Sequence, residues 1–201
     1  MTSRVSIIPI VEGHGEIEAL PLLIRRVASN IDPAVYPDIR SPLRVSRTKL
    51  LRAGELERHV QLAALKSGED GRILILIDAD DDCPATLGPQ LLQRAQIARP
   101  DRHVSVVLAK SEFESWFLAG AEGIAGKRGL PQDLQPPANP ELIRDAKGWL
   151  KTKMLNGTYK ETRDQPALTN AFDILAARDQ SAAHFSDSFD KFWRECEILL
   201  R

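Results

Sequence analysis

Ile73-Leu74-Ile75-Leu76-Ile77 runs straight into Asp78-Ala79-Asp80-Asp81-Asp82. An unbroken apolar run of this kind fits a parallel strand buried on both faces, because a strand with one wet face alternates apolar and polar residues. Upstream, Gly54 to Lys66 reads as a helix with Leu56, Val60, Ala63 and Ala64 on one face. Residues 35–45 are extended and proline-broken, in the manner of a short edge strand. Before them, Glu16 to Ala28 has apolar residues at helical spacing, preceded by a tight Gly13-His14-Gly15 turn and by a strand at residues 4–11 that Pro9 weakens. Downstream come a helix from Pro84 to Ile97, with Pro84 suited to its first turn, a strand from His103 to Ala109 and the start of a helix at Glu112 to Leu118. Strand, helix, strand order at this spacing predicts an α/β domain over residues 1–120, a parallel sheet flanked by helices.

After about Gly120, glycines and prolines punctuate a loop-rich stretch, followed by helical candidates at 140–154, 165–177 and 185–198. Residues 121–201 therefore read as a mostly helical extension packed on the first domain. Its aromatics, Phe172, Phe185, Phe189, Phe192 and Trp193, read as packing residues. A chain of 201 residues buries a core without a structural metal or disulfide. Cys83 and Cys196 lie far apart, matching neither a zinc pattern nor a disulfide framework. The short apolar run at the N-terminus meets Glu12 too soon for a signal peptide, and no run reaches membrane-spanning length, so the expectation is a cytoplasmic protein with no membrane partner. With 27 Lys+Arg against 28 Asp+Glu, the charge argues against a purely electrostatic nucleic-acid wrapper, while leaving room for a basic rim at Arg40, Arg44, Arg47, Lys49 and Arg52.

Chemistry concentrates where strands end, since the crevice of an open parallel sheet lies at the C-terminal ends of its strands. Glu12 follows the first strand, and Asp78 and Asp80 follow the central one. Side chains two apart on a strand point the same way, so Asp78 and Asp80 are expected to converge. Two carboxylates held close repel unless a cation neutralises them, and an all-oxygen set favours Mg²⁺ or Mn²⁺ over zinc. A plainer reading makes the acidic run a helix cap, through Asp82 before Cys83-Pro84. Glu16 has two roles open to it, a site ligand or a first-turn acid favoured by the helix dipole, and His14 reads better as a turn residue than as a ligand.

Val11-Glu12-Gly13-His14-Gly15-Glu16 after the first strand, together with Leu76-Ile77-Asp78-Ala79-Asp80-Asp81 after the central one, resembles the glutamate and Asp-x-Asp motifs of Toprim domains. Those domains occur in topoisomerases, bacterial primases, recombination mediators and OLD-like nucleases. More closely, the chain resembles small stand-alone Toprim-like proteins of a domain-of-unknown-function family, DUF4276, found near ATPase genes in bacterial genomes. The shared marks extend to Glu112-Phe113-Glu114-Ser115-Trp116-Phe117 and Tyr159-Lys160-Glu161-Thr162-Arg163-Asp164-Gln165, most of the chain.

The resemblance implies a Toprim, Rossmann-like fold and metal ions on Glu12, Asp78 and Asp80, with Glu12 also an acid/base candidate. Glu112 and Lys160 are the candidates for the further carboxylate and distant lysine of the nuclease-like members. The expected activity is metal-dependent phosphodiester hydrolysis on nucleic acid, DNA ahead of RNA, with a second ion recruited by Glu16, Glu112 or Glu114 and Lys160 neutralising charge at phosphorus. No ATPase segment, zinc ribbon or breakage-reunion tyrosine is evident, which disfavours topoisomerase or primase activity and points to a partner ATPase. The alternative is a non-catalytic metal-binding module that regulates such an ATPase on nucleic acid. A haloacid-dehalogenase-type phosphatase leaves Glu12 unexplained and puts Asp82 where that motif wants a threonine. A nucleotide-binding P-loop protein is disfavoured because the sequence has no Gly-x-x-x-x-Gly-Lys-Ser/Thr.

Overall fold

A computed structural model describes residues 5–201. Strands β1 (Ser6–Val11), β2 (Asp38–Ile39), β3 (Leu43–Arg44), β4 (Arg72–Asp78) and β5 (Val104–Ala109) form one parallel sheet in the order β2-β1-β4-β5, with β3 also on β1. Helices α1 (Glu16–Ile31), α2 (Arg47–Leu50), α3 (Glu55–Ser67) and α4 (Pro84–Ala98) connect the strands, α1 leading to β2, the α2 and α3 pair to β4 and α4 to β5. Then follow α5 (Ser115–Ala119), α6 (Ala146–Lys153), α7 (Glu161–Thr169) and α8 (Asp187–Leu200). The expected α/β fold with its helical C-terminal region is what the chain adopts. Among the described residues no helix is long and apolar enough to cross a membrane.

Alternation along the strands splits the core into two layers. Ile8, Ile10, Ile73, Ile75, Ile77, Val106 and Leu108 face α3 and α4, while Ile7, Val11, Leu74, Leu76 and Val107 face the layer containing α1, α5 and α8. Asp78 continues the second series, so it enters the helical layer that the C-terminal half completes. There Phe113, Trp116, Phe117, Phe172, Phe189 and Phe192 form a continuous ring cluster with centroids 4.9–5.9 Å apart.

Pro9 explains why the 35–45 region is two short strands rather than one. The carbonyls of Val5, just before β1, and of Ile7 and Val11 within it accept from the N–H groups of Asp38, Arg40 and Val45, which places the odd-numbered backbone groups on that side. Pro9 has no N–H to offer there, and pairing lapses between Ile39 and Leu43.

Two helical candidates are redrawn by local hydrogen bonds. The 140–154 segment breaks into a 3₁₀ turn at Pro140–Leu142 and then α6, because the Asp145 carboxylate accepts from Gly148 N at 2.7 Å and restarts the helix. The 165–177 candidate starts earlier, at Glu161, where Asp164 reaches back to Lys160 N at 2.8 Å. It ends at Thr169, and Asp173 Oδ1 then accepts from Leu175 N and Ala176 N, both 2.9 Å, to open a separate 3₁₀ turn.

The same turn meets α5 backbone to backbone. A Cβ on Gly120 stands 2.4 Å from Asp173 O and 2.8 Å from Asp173 N, neither of which yields as a side chain does. Gly120→Ala is therefore expected to lower stability by about 1–3 kcal/mol in urea denaturation; an unchanged midpoint contradicts this packing.

Candidate active site

β1 ends at Val11, and the backbone turns through Glu12-Gly13-His14-Gly15 into α1. Glu16, the first residue of α1, folds its carboxylate back so that Oε2 accepts from Glu12 N at 3.1 Å and Gly13 N at 3.2 Å. Glu12 in turn spans to the next strand, its Oε2 accepting from Asp78 N at 3.3 Å. Asp78 Oδ1 accepts from Phe113 N at 2.7 Å, so the aromatic cluster that seats Phe113 also aims Asp78. Glu114 is fully buried; its Oε1 accepts from Tyr159 Oη at 2.8 Å and Gln165 Nε2 at 3.2 Å.

The ammonium among these acids is that of Lys147, near the start of α6. Its Nζ lies 3.0 Å from Glu161 Oε1 and 3.8 Å from Glu114 Oε2. Glu12, Gly13, His14, Glu16, Arg44, Asp78, Lys147, Glu161 and Gln165 line a cavity of about 170 Å³.

Burial dominates the electrostatics. It pushes Glu16 up to about 7, with Glu12 adding to the shift, and it pushes Glu114 up to about 7 despite the ammonium of Lys147. Asp78 rises well above the usual carboxylate range through burial and then the charges of Glu16 and Glu114. Glu12 and Glu112 rise too, mainly through burial. Lys147 loses from burial and gains more from Glu114 and Asp78, so its ammonium is held more firmly than usual. Two buried acceptors, Glu114 Oε2 and Gln165 Oε1, receive no hydrogen bond among the described residues. Such atoms are costly to leave unmatched.

The sequence-picked residues divide into three places. Glu12, Glu16 and Asp78 line the cavity and Glu114 stands at its wall. Asp80 and Glu112 instead line a neighbouring pocket of about 340 Å³ with Asp81, Ser111 and Arg144. β4 ends at Asp78 and Asp80 takes φ 50°, so strand alternation does not carry past Ala79. Asp80 lies 3.5 Å from Arg47 and acts on Glu12 through its charge, while Glu112 Oε2 accepts from Lys147 N at 3.1 Å. Lys160, the expected site lysine, is exposed before α7 and does not line the cavity. Its neighbours Tyr159, Glu161 and Gln165 reach inward instead. Gly15 serves α7: a Cβ there falls 2.0 Å from Gln165 Oε1 and 2.8 Å from Glu161 O.

The sequence profile of one family matches residues 11–193, from the end of β1 into α8. The chain belongs to that family, the domain of unknown function DUF4276. No curated protein and no solved structure matches it. The match takes in every acidic residue of the DUF4276 site together with Lys147 and the α7 segment. Among the described residues no three Asp, Glu, His or Cys side chains are arranged as a ready-made ion cage.

Folded Glu16 holds its proton to about pH 7, whereas the unfolded chain releases it at roughly pH 4.3. This raised value favours folding at low pH, and the advantage is lost as pH rises through 7. Glu16→Gln keeps the acceptor for Glu12 N and Gly13 N without the charge. In EDTA it is expected to exceed the wild type in stability by about 1–3 kcal/mol at roughly pH 8, with no advantage at roughly pH 4. Denaturant titrations at the two pH values check this; an equal difference at both contradicts it.

Proposed function

We propose that this DUF4276 chain is a Toprim-like, Mg²⁺- or Mn²⁺-dependent phosphodiesterase acting on nucleic acid. The observation that carries the reading is the crowding of Glu12, Glu16, Asp78 and Glu114 around the single ammonium of Lys147 at the C-terminal edge of the sheet. The order of these acids, a glutamate after the first strand and an aspartate at the end of the central one, supports the Toprim relationship.

The donor set fits a hard divalent ion: it is all oxygen, its four carboxyl groups outnumber the cavity's cations Lys147 and Arg44, and buried Glu114 Oε2 and Gln165 Oε1 receive no hydrogen bond among the described residues. Glu12, Glu16, Asp78 and Glu114 are the residues that would hold the ion, with Asp80 at the outer edge. A bound ion supplies Lewis acidity and a more acidic water. The chain's own part is positional and electrostatic. Lys147 offers its ammonium to a phosphoryl oxygen, with Glu161 steering its end. Glu16, its Oε2 held by two backbone N–H groups, presents Oε1 toward the site.

Incubating labelled DNA with purified protein and Mn²⁺, Mg²⁺ or EDTA tests this. Wild type is expected to cut with either metal and not in EDTA. Asp78→Asn and Lys147→Met are each expected to lose about 10²-fold or more, while Lys160→Met, which removes one surface cation outside the cavity, is expected to lose no more than about threefold. Equal losses in the two lysine variants contradict the assignment. If wild type cuts nothing while Mg²⁺ raises its melting temperature, the chain is the metal-binding regulator of a partner ATPase instead.

A further inference from the structure

Resting on the nucleic-acid reading, we propose that one basic surface beside the cavity, made by the 126–130 turn, the end of α6 and the start of α7, is where the nucleic-acid backbone lies. The rim suggested by the sequence is largely self-neutralised: Arg40 pairs with Asp38 at 3.3 Å, Arg47 with Asp80 and Asp82, and Lys49 with Glu55 at 3.8 Å. Arg44 and Arg52 of that rim form no ion pair among the described residues, but the larger group of such cations lies elsewhere. Lys127, Lys151, Lys153 and Lys160 are exposed and form no ion pair among the described residues.

These elements are joined to one another. Leu155 N donates to Gly129 O at 2.8 Å, tying the chain after α6 to the 126–130 turn. Asp164, fully buried on α7, accepts from Arg128 Nε at 2.8 Å and from Arg163 Nε and Nη2 at 2.8 and 2.7 Å. The two guanidiniums are thereby fixed side by side, with side chains 36% and 44% exposed and further N–H groups left for an outside acceptor. Arg128 holds this position at φ 53°, a left-handed conformation that glycine adopts more cheaply. A buried carboxylate that orients two half-exposed arginines builds a rigid donor pair, and planar guanidinium donors match phosphate oxygens.

Charge is strongly segregated here. The segments 126–130 and 146–169 carry Lys127, Arg128, Lys147, Lys151, Lys153, Lys160 and Arg163 against only Glu161 and Asp164. Glu161 is taken by Lys147 and Asp164 by the arginines, in a chain whose net charge is -1. Glu161 and Lys147 also line the cavity, so the basic surface borders it directly. A polyanion seated here gains from every unpaired cation and releases its own counterions.

Fluorescence anisotropy with labelled single-stranded and duplex DNA in EDTA tests the proposal on the intact chain. Lys127→Glu/Lys151→Glu/Lys153→Glu changes only exposed residues outside the cavity. Arg52→Glu/Lys66→Glu/Arg201→Glu imposes the same change of net charge elsewhere, and circular dichroism verifies that both fold. The first variant is expected to bind at least about tenfold more weakly, with a salt slope reduced by about two to three, while the second stays within about twofold of wild type. Equal weakening in both, or none in either, overturns the proposed surface and leaves the nucleic-acid reading standing. If wild type binds neither DNA, both fall together.

Discussion

Buried like charge is the constraint around which this molecule is built. Glu16, Asp78 and Glu114 are taken out of water with half-buried Glu12 beside them, and one ammonium, Lys147, stands among them. Each buried charge costs several kcal/mol in desolvation, which pairing only partly returns. Packing alone offers no reason to retain such a group, since apolar residues of similar volume serve a core at least as well. A cluster kept at this expense in a crevice at the strand ends has the character of a functional site.

The rest of the structure holds that cluster in place. The two-layer core fixes β1 beside β4, and so Glu12 against Asp78 N. The aromatic cluster seats Phe113, whose N–H holds Asp78, and Trp116 Nε1 ties it to Ser188 Oγ at the start of α8. From the other side α7 closes on the Gly15 turn, bringing Glu161 and Gln165 to the cavity. Half of the site is thus made by the strand ends and half by the C-terminal helices.

This division explains what the sequence could disclose. β4 was legible because both of its faces are apolar, and Glu12 and Asp78 followed because strand ends are where parallel sheets carry chemistry. The pairing of Asp78 with Asp80 was not, since the alternation argument holds only within a strand and β4 stops at Asp78. Lys147 carries no periodic signal, as only tertiary packing brings α6 to the sheet. Its one local mark is a lysine in the first turn of a helix, where the dipole disfavours positive charge. The 159–165 segment borders the cavity, but its lysine, the residue a sequence reader notices, faces water. Glu161 and Gln165, one helical turn apart, share the face that reaches the cavity.

A divalent cation on the cluster is the central expectation. Calorimetric titration of Mn²⁺ into metal-stripped protein at roughly pH 6.5, in buffers of differing ionisation heat, reads both binding and proton release. The account predicts saturable binding with protons expelled from Glu16 and Glu114, and its loss in Asp78→Asn/Glu16→Gln. No saturable binding to wild type, or binding unchanged in the variant, contradicts it.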